Sequence, residues 1–411
     1  MNVPKLRFKD NNDNDYPNWV NSTIGKSGYF YYGKSAPKWS ITDTATTPCV
    51  RYGELYTTHN IIVKKIYSYT NIPKENLKFS TGNEVLVPRV GEEPLDFCKC
   101  CYLPFKDVAI GEMISVYNTK NNPLFISYMF NGTMKYKFAR LVEGGNVSNL
   151  YYSYLENISI NLPCLEEQKK IANFLSTVDK KITNLENTIT SLENQKKGLL
   201  QQIFSQKLRF KDKNGNNYPD WEKKKLGDIT QSQGGTALEK YTTTNGLYKF
   251  ISIGNYSTYS TYLDNGIRID LNNKTKKQLL NKNDLVMILN DKTSSGNIIG
   301  RTLLIDKDNT YIYNQRSQRL ICNTKIIIPS FLYFLLNSDF RKNIIKKVQG
   351  ATQIYINYST IEVMHLNIPC LEEQTKIADF LSAFDRKLEN QKAQLEHWKQ
   401  IKKGLLQQMF V

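Results

Sequence analysis

Arginine can grip guanine through two hydrogen bonds, and asparagine or glutamine can do the same with adenine, each good pair contributing about 1–3 kcal/mol of discrimination. Lysines and hydroxyls hold phosphates. Side chains of these types gather late in the chain. Lys292, Thr293, Ser294, Ser295 and Asn297 fall in a polar loop, NDKTSSGNII, with Arg301 just after it. Gln315, Arg316, Gln318 and Arg319 come next, and Gln353 and Tyr355 stand beyond Gly350. Duplex reading is the chemistry these residues suit. Earlier in the chain Lys64, Lys65 and Arg89 are available, with Arg51, His59, Lys135 and Lys137, but no residue there singles itself out as a base reader.

Motifs for other chemistry are missing. No G-x-G-x-x-G follows a strand, and neither G-x-x-x-x-G-K-[ST] nor G-x-S-x-G occurs, so dinucleotide, ATP and serine-hydrolase chemistry have no anchor. Asn122-Pro123-Leu124-Phe125 is similar to the tetrapeptide with which amino-methyltransferases hold a flipped base. A helix-opening proline accounts for it better, because Pro123 aligns with Pro329 in an internal repeat. Asp96 and Lys99 lack the clustered carboxylates of a nuclease. Seven cysteines, an odd number without regular spacing, fit reduced thiols. Cys98, Cys100 and Cys101 cluster, but His59, His365 and His397 are distant in sequence, so no zinc site is expected. The expectation is a chain with no catalytic residue and no metal.

A formal charge of +17 and a pI near 9.3 point to a polyanionic partner, nucleic acid before a membrane surface. No apolar run approaches the length of a bilayer span, and Met1 to Asp10 has no apolar signal core. A soluble, cytoplasmic protein is expected.

The elements that must position the readers are written twice. Pro163 to Phe204 returns at Pro369 to Phe410, 206 positions later and without a gap; PCLEEQKKIANFLSTVDKK matches PCLEEQTKIADFLSAFDRK. Each copy predicts one long helix of about 40 residues, roughly 60 Å at 1.5 Å per residue. Ile171, Leu175, Val178, Ile182, Leu185, Ile189, Leu192, Lys196, Leu199 and Ile203 alternate steps of four and three, the seam of a coiled coil. The second copy keeps that register from Ile377 to Met409, with Lys402 recurring at the place of Lys196. Each copy is therefore the simplest partner for the other. Glu166/Glu167 and Glu372/Glu373 place negative charge at the positive helix ends.

The repeat extends beyond the helices. LRFKDNNDNDYPNW (Leu6 to Trp19) matches LRFKDKNGNNYPDW (Leu208 to Trp221), so each half is a leader, a large divergent region and a helix. The boundaries fall at 1–162, 163–206, 207–368 and 369–411. Glu84 to Val87, Met113 to Tyr117, Asp284 to Leu289 and Gly300 to Ile305 read as strands; Pro123 and Pro329 open helices, with Phe340 to Val348 continuing the second or forming another. A mixed α/β fold is expected for both regions.

These segments together resemble the specificity subunit of type I restriction-modification enzymes. The Glu-Glu-Gln helix opening, WEKKKLGDI (Trp221 to Ile229), NDLVMIL with its following IIGR, and GATQIYIN (Gly350 to Asn357) carry the likeness, which covers nearly the whole chain. One departure stands out: VNSTIGKSGYF after Trp19 has no Lys-Lys-Leu-Gly-Asp-Ile, which leaves the first region's opening strand unmarked. The resemblance implies two target recognition domains separated by an antiparallel coiled coil, related by a pseudo-twofold, each reading half of a split sequence in double-stranded DNA. It also implies two methyltransferase (M) subunits beside the helices and restriction (R) subunits, with S-adenosylmethionine, ATP and Mg on those partners and no cofactor in this chain. Three alternatives remain: a self-contained nuclease or methylase, a stand-alone DNA-binding regulator, and a coiled-coil scaffold without sequence specificity.

Overall fold

The computed structural model describes residues 4–145 and 148–410. Leu165–Phe204 and Leu371–Met409 are single helices of 40 and 39 residues. The chain divides into two compact units, Met1–Glu186 with Ala393–Val411, and Asn187–Lys392. Each unit takes a piece of both helices.

In the first unit a four-stranded antiparallel sheet runs in the order Gly28–Tyr32, Ile114–Thr119, Glu84–Pro88, Cys101–Leu103. Glu84–Pro88 is buried throughout: Val85, Leu86 and Val87 are apolar, and the carboxylate of Glu84 accepts from Tyr31, Thr81 and Asn118. A second sheet, in the order Ser68–Thr70, Thr47–Val50, Lys106–Ile110, Phe79–Thr81, is interleaved with the first along the chain and contains one parallel pairing. The second unit repeats this plan: Thr230–Gly234, Ser317–Cys322, Leu285–Ile288 and Thr302–Leu304 form the antiparallel sheet, and Tyr248–Ile251 pairs in parallel with Tyr311–Tyr313 in the other. Pro123–Asn131 and Pro329–Leu336 are the proline-opened helices; Phe340–Ile345 is a separate helix rather than a continuation.

The opening strand of the first region is present despite its missing motif. Val20–Thr23 pairs antiparallel with Ser159–Leu162 as Glu222–Lys225 pairs with His365–Ile368. What differs is the turn that follows, a short helical turn Leu226–Ile229 in the second unit and a 3-10 turn Gly25–Ser27 in the first. Strand pairing depends on backbone groups, so divergent side chains preserve it.

The repeated leader and the Glu-Glu-Gln motif lock together. Arg7 donates to both carboxylate oxygens of Glu167, at 3.0 and 2.7 Å, and to the carbonyls of Tyr16 and Pro17; Trp19 Nε1 donates to the same carboxylate at 3.2 Å. Arg209, Glu373, Tyr218, Pro219 and Trp221 repeat every one of these bonds. Gln168 follows: its oxygen accepts from the amide of Asn122 and its nitrogen donates to Asn121 Oδ1 and the Pro163 carbonyl, fixing the start of helix Pro123–Asn131. Gln374 does the same with Ile328, Ile326 and Pro369. The dipole account of the Glu-Glu pair therefore holds at most for Glu166 and Glu372; Glu167 and Glu373 are fully buried and bound to arginine. Trp19 then packs edge-on against Phe125, which meets Phe410, while Trp221, Phe331 and Phe204 form the same trio in the second unit.

Along the seam, Ile171, Leu175, Val178, Ile182 and Leu185 are buried in the first unit, and Leu192, Ile203, Ile377, Leu381 and Leu388 in the second. In the first unit Lys402 bonds Asp179 at 2.6 Å and Lys399 bonds Glu186 at 3.0 Å, so the helix pieces run antiparallel. The second unit pairs Lys196 with Asp385 at 2.5 Å and Lys392 with Glu193 at 2.7 Å. The lysine that interrupts the apolar seam is thus answered across it. At the other pair the charges are exchanged between the copies, Glu186 corresponding to Lys392 and Glu193 to Lys399. A helix paired with its own copy would set like charges together, which favours the unlike pairing.

The two seam lysines differ in what remains if they are removed. Tyr128 Oη donates to Asp179 at 2.7 Å, whereas Phe334 occupies the corresponding place near Asp385. Lys196→Met is therefore expected to cost about 2 kcal/mol and Lys402→Met about 1 kcal/mol, since a half-buried carboxylate loses most when it loses its only partner. Urea titration of the two variants checks the order.

Candidate nucleic-acid interface

The second unit presents the polar loop as a built structure. Asn290–Asp291 pairs antiparallel with Ile354–Tyr355, which sets the loop beside the turn that carries Gln353 and Tyr355. Gly350 makes that turn with φ +98°, where a Cβ would meet the Gln353 carbonyl at 2.1 Å, so glycine is required there. Asp291 is buried and organises the loop: it accepts from the amide and hydroxyl of Thr293 and from the amide of Ile298. Burial opposes its charge, but those amides outweigh it and hold the carboxyl below its ordinary range. Lys292, Thr293, Ser294, Ser295 and Asn297 are consequently exposed on a fixed frame, with Gln353 and Tyr355 exposed nearby.

Two arginines support the loop from below. Arg301 donates to the carbonyl of Asn297 and to Ser260, and Arg341 donates to the carbonyls of Ile299 and Gly296. Burial lowers both, and the charge of Arg301 helps hold Arg341 down to about 10. Arg301, expected as a reader, is thus a prop. Arg319 is also committed inward: its side chain is 11% exposed and bonds Asp284 at 2.6 Å, because the buried acid that opens the DLVMIL strand needs a cation. Gln318 is buried and Gln315 is exposed but donates to Glu239. Arg316 lies at the half-exposed end of the same turn.

In the first unit the residues proposed from sequence are dispersed. Arg89 stacks between Tyr32 and Tyr151, 4.4 and 5.4 Å from the ring centres, and serves packing. Lys64 and Lys65 are exposed before the strand Ser68–Thr70, with Lys65 over the ring of Tyr67. The counterpart of the polar loop follows Val90–Gly91, which pairs with Ser148–Asn149, and it begins with exposed Glu92 and Glu93. Phosphates would be repelled there. The two units share a frame but present different exposed side chains on it.

Cys98, Cys100 and Cys101 are buried in the core, where burial pushes the thiols of Cys98 and Cys101 up to about 12, far from the thiolate that binds metal. Among the described residues no three ligating side chains gather. No described helix is long and apolar enough to cross a membrane.

Two stretches, 8–194 and 218–397, match the family described as type I restriction modification DNA specificity domain. The chain belongs to that family. It is similar to the specificity subunit of type I restriction enzyme MjaVIII from Methanocaldococcus jannaschii, 29% identical over 74% of each chain. The specificity subunit of the StySPI enzyme from Salmonella potsdam is 24% identical over 80% of this chain and 72% of its own. In fold the chain matches the S subunit of a type I system from M. genitalium, with TM-score 0.65 and 18% identity over 100% of this chain and 99% of that one. As a specificity subunit it is the DNA-recognition component that acts with modification and restriction subunits. The latch of Arg7, Glu167 and Gln168 is not marked by any local motif, but the sequence does carry a signal for it: the leader and the helix opening are both kept between the two copies while the regions between them diverge.

Proposed function

We propose that this chain is the non-catalytic reader of a split DNA target, each unit taking one half, and that it directs adenine methylation and restriction carried out by its partners. One observation carries the reading: two units repeat the same latch, sheets and proline-opened helix while presenting different exposed side chains. A duplicated frame offers equivalent docking to two M subunits, and divergent surfaces read unlike half-sites. S-adenosylmethionine, ATP and Mg belong to the partner subunits in this scheme. In the second unit Lys292, Thr293, Ser294 and Asn297, with Gln353 and Tyr355, meet the duplex, whereas Arg301 and Arg319 hold the surface that carries them.

The test is a genome-wide map of methylated adenines in a host expressing the chain with its modification subunit, against a host lacking only this chain. A split motif that appears and vanishes with the chain supports the proposal. Unchanged methylation despite complex formation rejects it in favour of a regulator or scaffold. Within the same assay, Asp291→Ala should release the loop and weaken recognition of one half-site about tenfold, the equivalent of roughly 1.4 kcal/mol, leaving the other half-site as it was. Binding titrations with duplexes altered in one half-site check this.

A further inference from the structure

The first unit lacks a basic loop at the place where the second has one, so its contact with a duplex must lie elsewhere. Trp39 is 73% exposed, an unusual position for the largest apolar side chain. It is carried on a pinned turn. Ser40 is buried, its hydroxyl lies 2.8 Å from that of Thr70 and 2.8 Å from the Pro37 carbonyl, and the Asn71 amide donates to the Ser40 carbonyl. The turn is also strained: Ser35 and Ala36 adopt φ of 63° and 58°, a left-handed conformation that side chains other than glycine, asparagine and aspartate rarely take. Such strain persists only where the surroundings enforce it, and it gathers at functional sites.

The neighbourhood is basic and aromatic. Lys34 and Lys38 are exposed on the turn itself. Tyr67 and Tyr69, two residues apart on and beside strand Ser68–Thr70, point to its outer face and are exposed. Across segments 34–53 and 58–70 the cations are Lys34, Lys38, Arg51, Lys64 and Lys65 and the carboxylate is Asp43. Glu54, which accepts from the Arg51 amide and the Ser68 hydroxyl, and exposed Glu112, whose amide donates to the Ser35 carbonyl, also border this face, so cations outnumber carboxylates five to three. A face with that balance suits a polyanion better than a protein groove.

We propose that Trp39 is the DNA wedge of the first unit, its indole set against a base step of the half-site that this unit reads, with Lys34 and Lys38 on the flanking phosphates. This rests on the split-target reading. Apolar wedges and stacked aromatics at base steps gain contact with every sequence but favour steps that open easily, so Trp39 contributes both affinity and indirect selectivity.

The experiment uses the full chain with its modification subunit and a duplex carrying the mapped target. Trp39→Ala should weaken binding roughly tenfold or more, the order expected for one stacked base, and Trp39→Phe should retain most of it. Melting temperatures should not move, because the side chain is outside the core. Duplex binding should change the indole emission of the wild type, and Trp39→Phe should abolish that change although Trp19, Trp221 and Trp398 remain. Lys34→Ala with Lys38→Ala should reduce the salt slope by about two. Unaltered affinity and emission response in the Trp39 variants overturn the proposal, as does loss of the modification subunit with DNA binding intact, which would make this a protein-docking face. If the wild-type complex fails to discriminate its duplex, the split-target reading falls first and this one with it.

Discussion

Arg7→Ala should destabilise the first unit by about 3–5 kcal/mol and Arg209→Ala should do the same to the second. Removing one partner of a buried ion pair leaves an uncompensated charge, and an unpaired carboxylate at full burial is among the costliest defects a core can hold. Glu167 and Glu373 are both fully buried, and each accepts two bonds from arginine and one from tryptophan. Against a typical domain stability of about 5–15 kcal/mol, that loss is enough to unfold much of one unit at growth temperature. Two controls separate the buried pair from the helix dipole. Glu166→Ala removes the exposed member of the Glu-Glu pair and should cost less than about 1 kcal/mol. Arg7→Met combined with Glu167→Met removes both charges together and should recover much of the loss. Urea unfolding followed by near-ultraviolet signals from Trp19 and Trp221 reads each unit, since each tryptophan sits in its own latch. A loss under 1 kcal/mol for Arg7→Ala would show that water reaches Glu167.

Much of this frame was legible because the chain repeats itself. The helices at Leu165 and Leu371, the strands around Glu84, Ile114 and Leu285, and the proline-opened helices all follow from apolar periodicity and proline placement. Partners distant in sequence were not legible in this way. Arg7 and Glu167 lie 160 residues apart, and no local pattern distinguishes a glutamate that caps a helix dipole from one that accepts a buried arginine. Residue type marks Arg319 and Arg301 as candidate DNA contacts but does not reveal direction; the structure turns both inward, toward Asp284 and toward the loop backbone. Trp39 is the converse. Nothing in KSAPKWS shows that its tryptophan stays outside the core, because the exposure comes from a strained turn fixed by Thr70 and Asn71.

The second large effect concerns the helices rather than the readers. In the proposed scheme, lengthening both of them should lengthen the gap between half-sites without altering either half-site. Four residues add about 6 Å and one turn plus roughly 40°, so the faces that carry the units are nearly restored. At 3.4 Å per base pair that is about two base pairs. Four-residue insertions are also the kind that coiled coils absorb by local unwinding. Placed between 189 and 190 in the first helix and between 395 and 396 in the second, they fall between the Glu186–Lys399 and Glu193–Lys392 pairs and leave both intact. The same insertion in one helix alone mismatches the seam and should lower stability instead. Methylation mapping of the doubly lengthened chain is the readout. A longer gap with unchanged half-sites supports the helices as spacers; an active variant with the original gap rules that role out, because the distance between bound half-sites would then be set by the partner subunits.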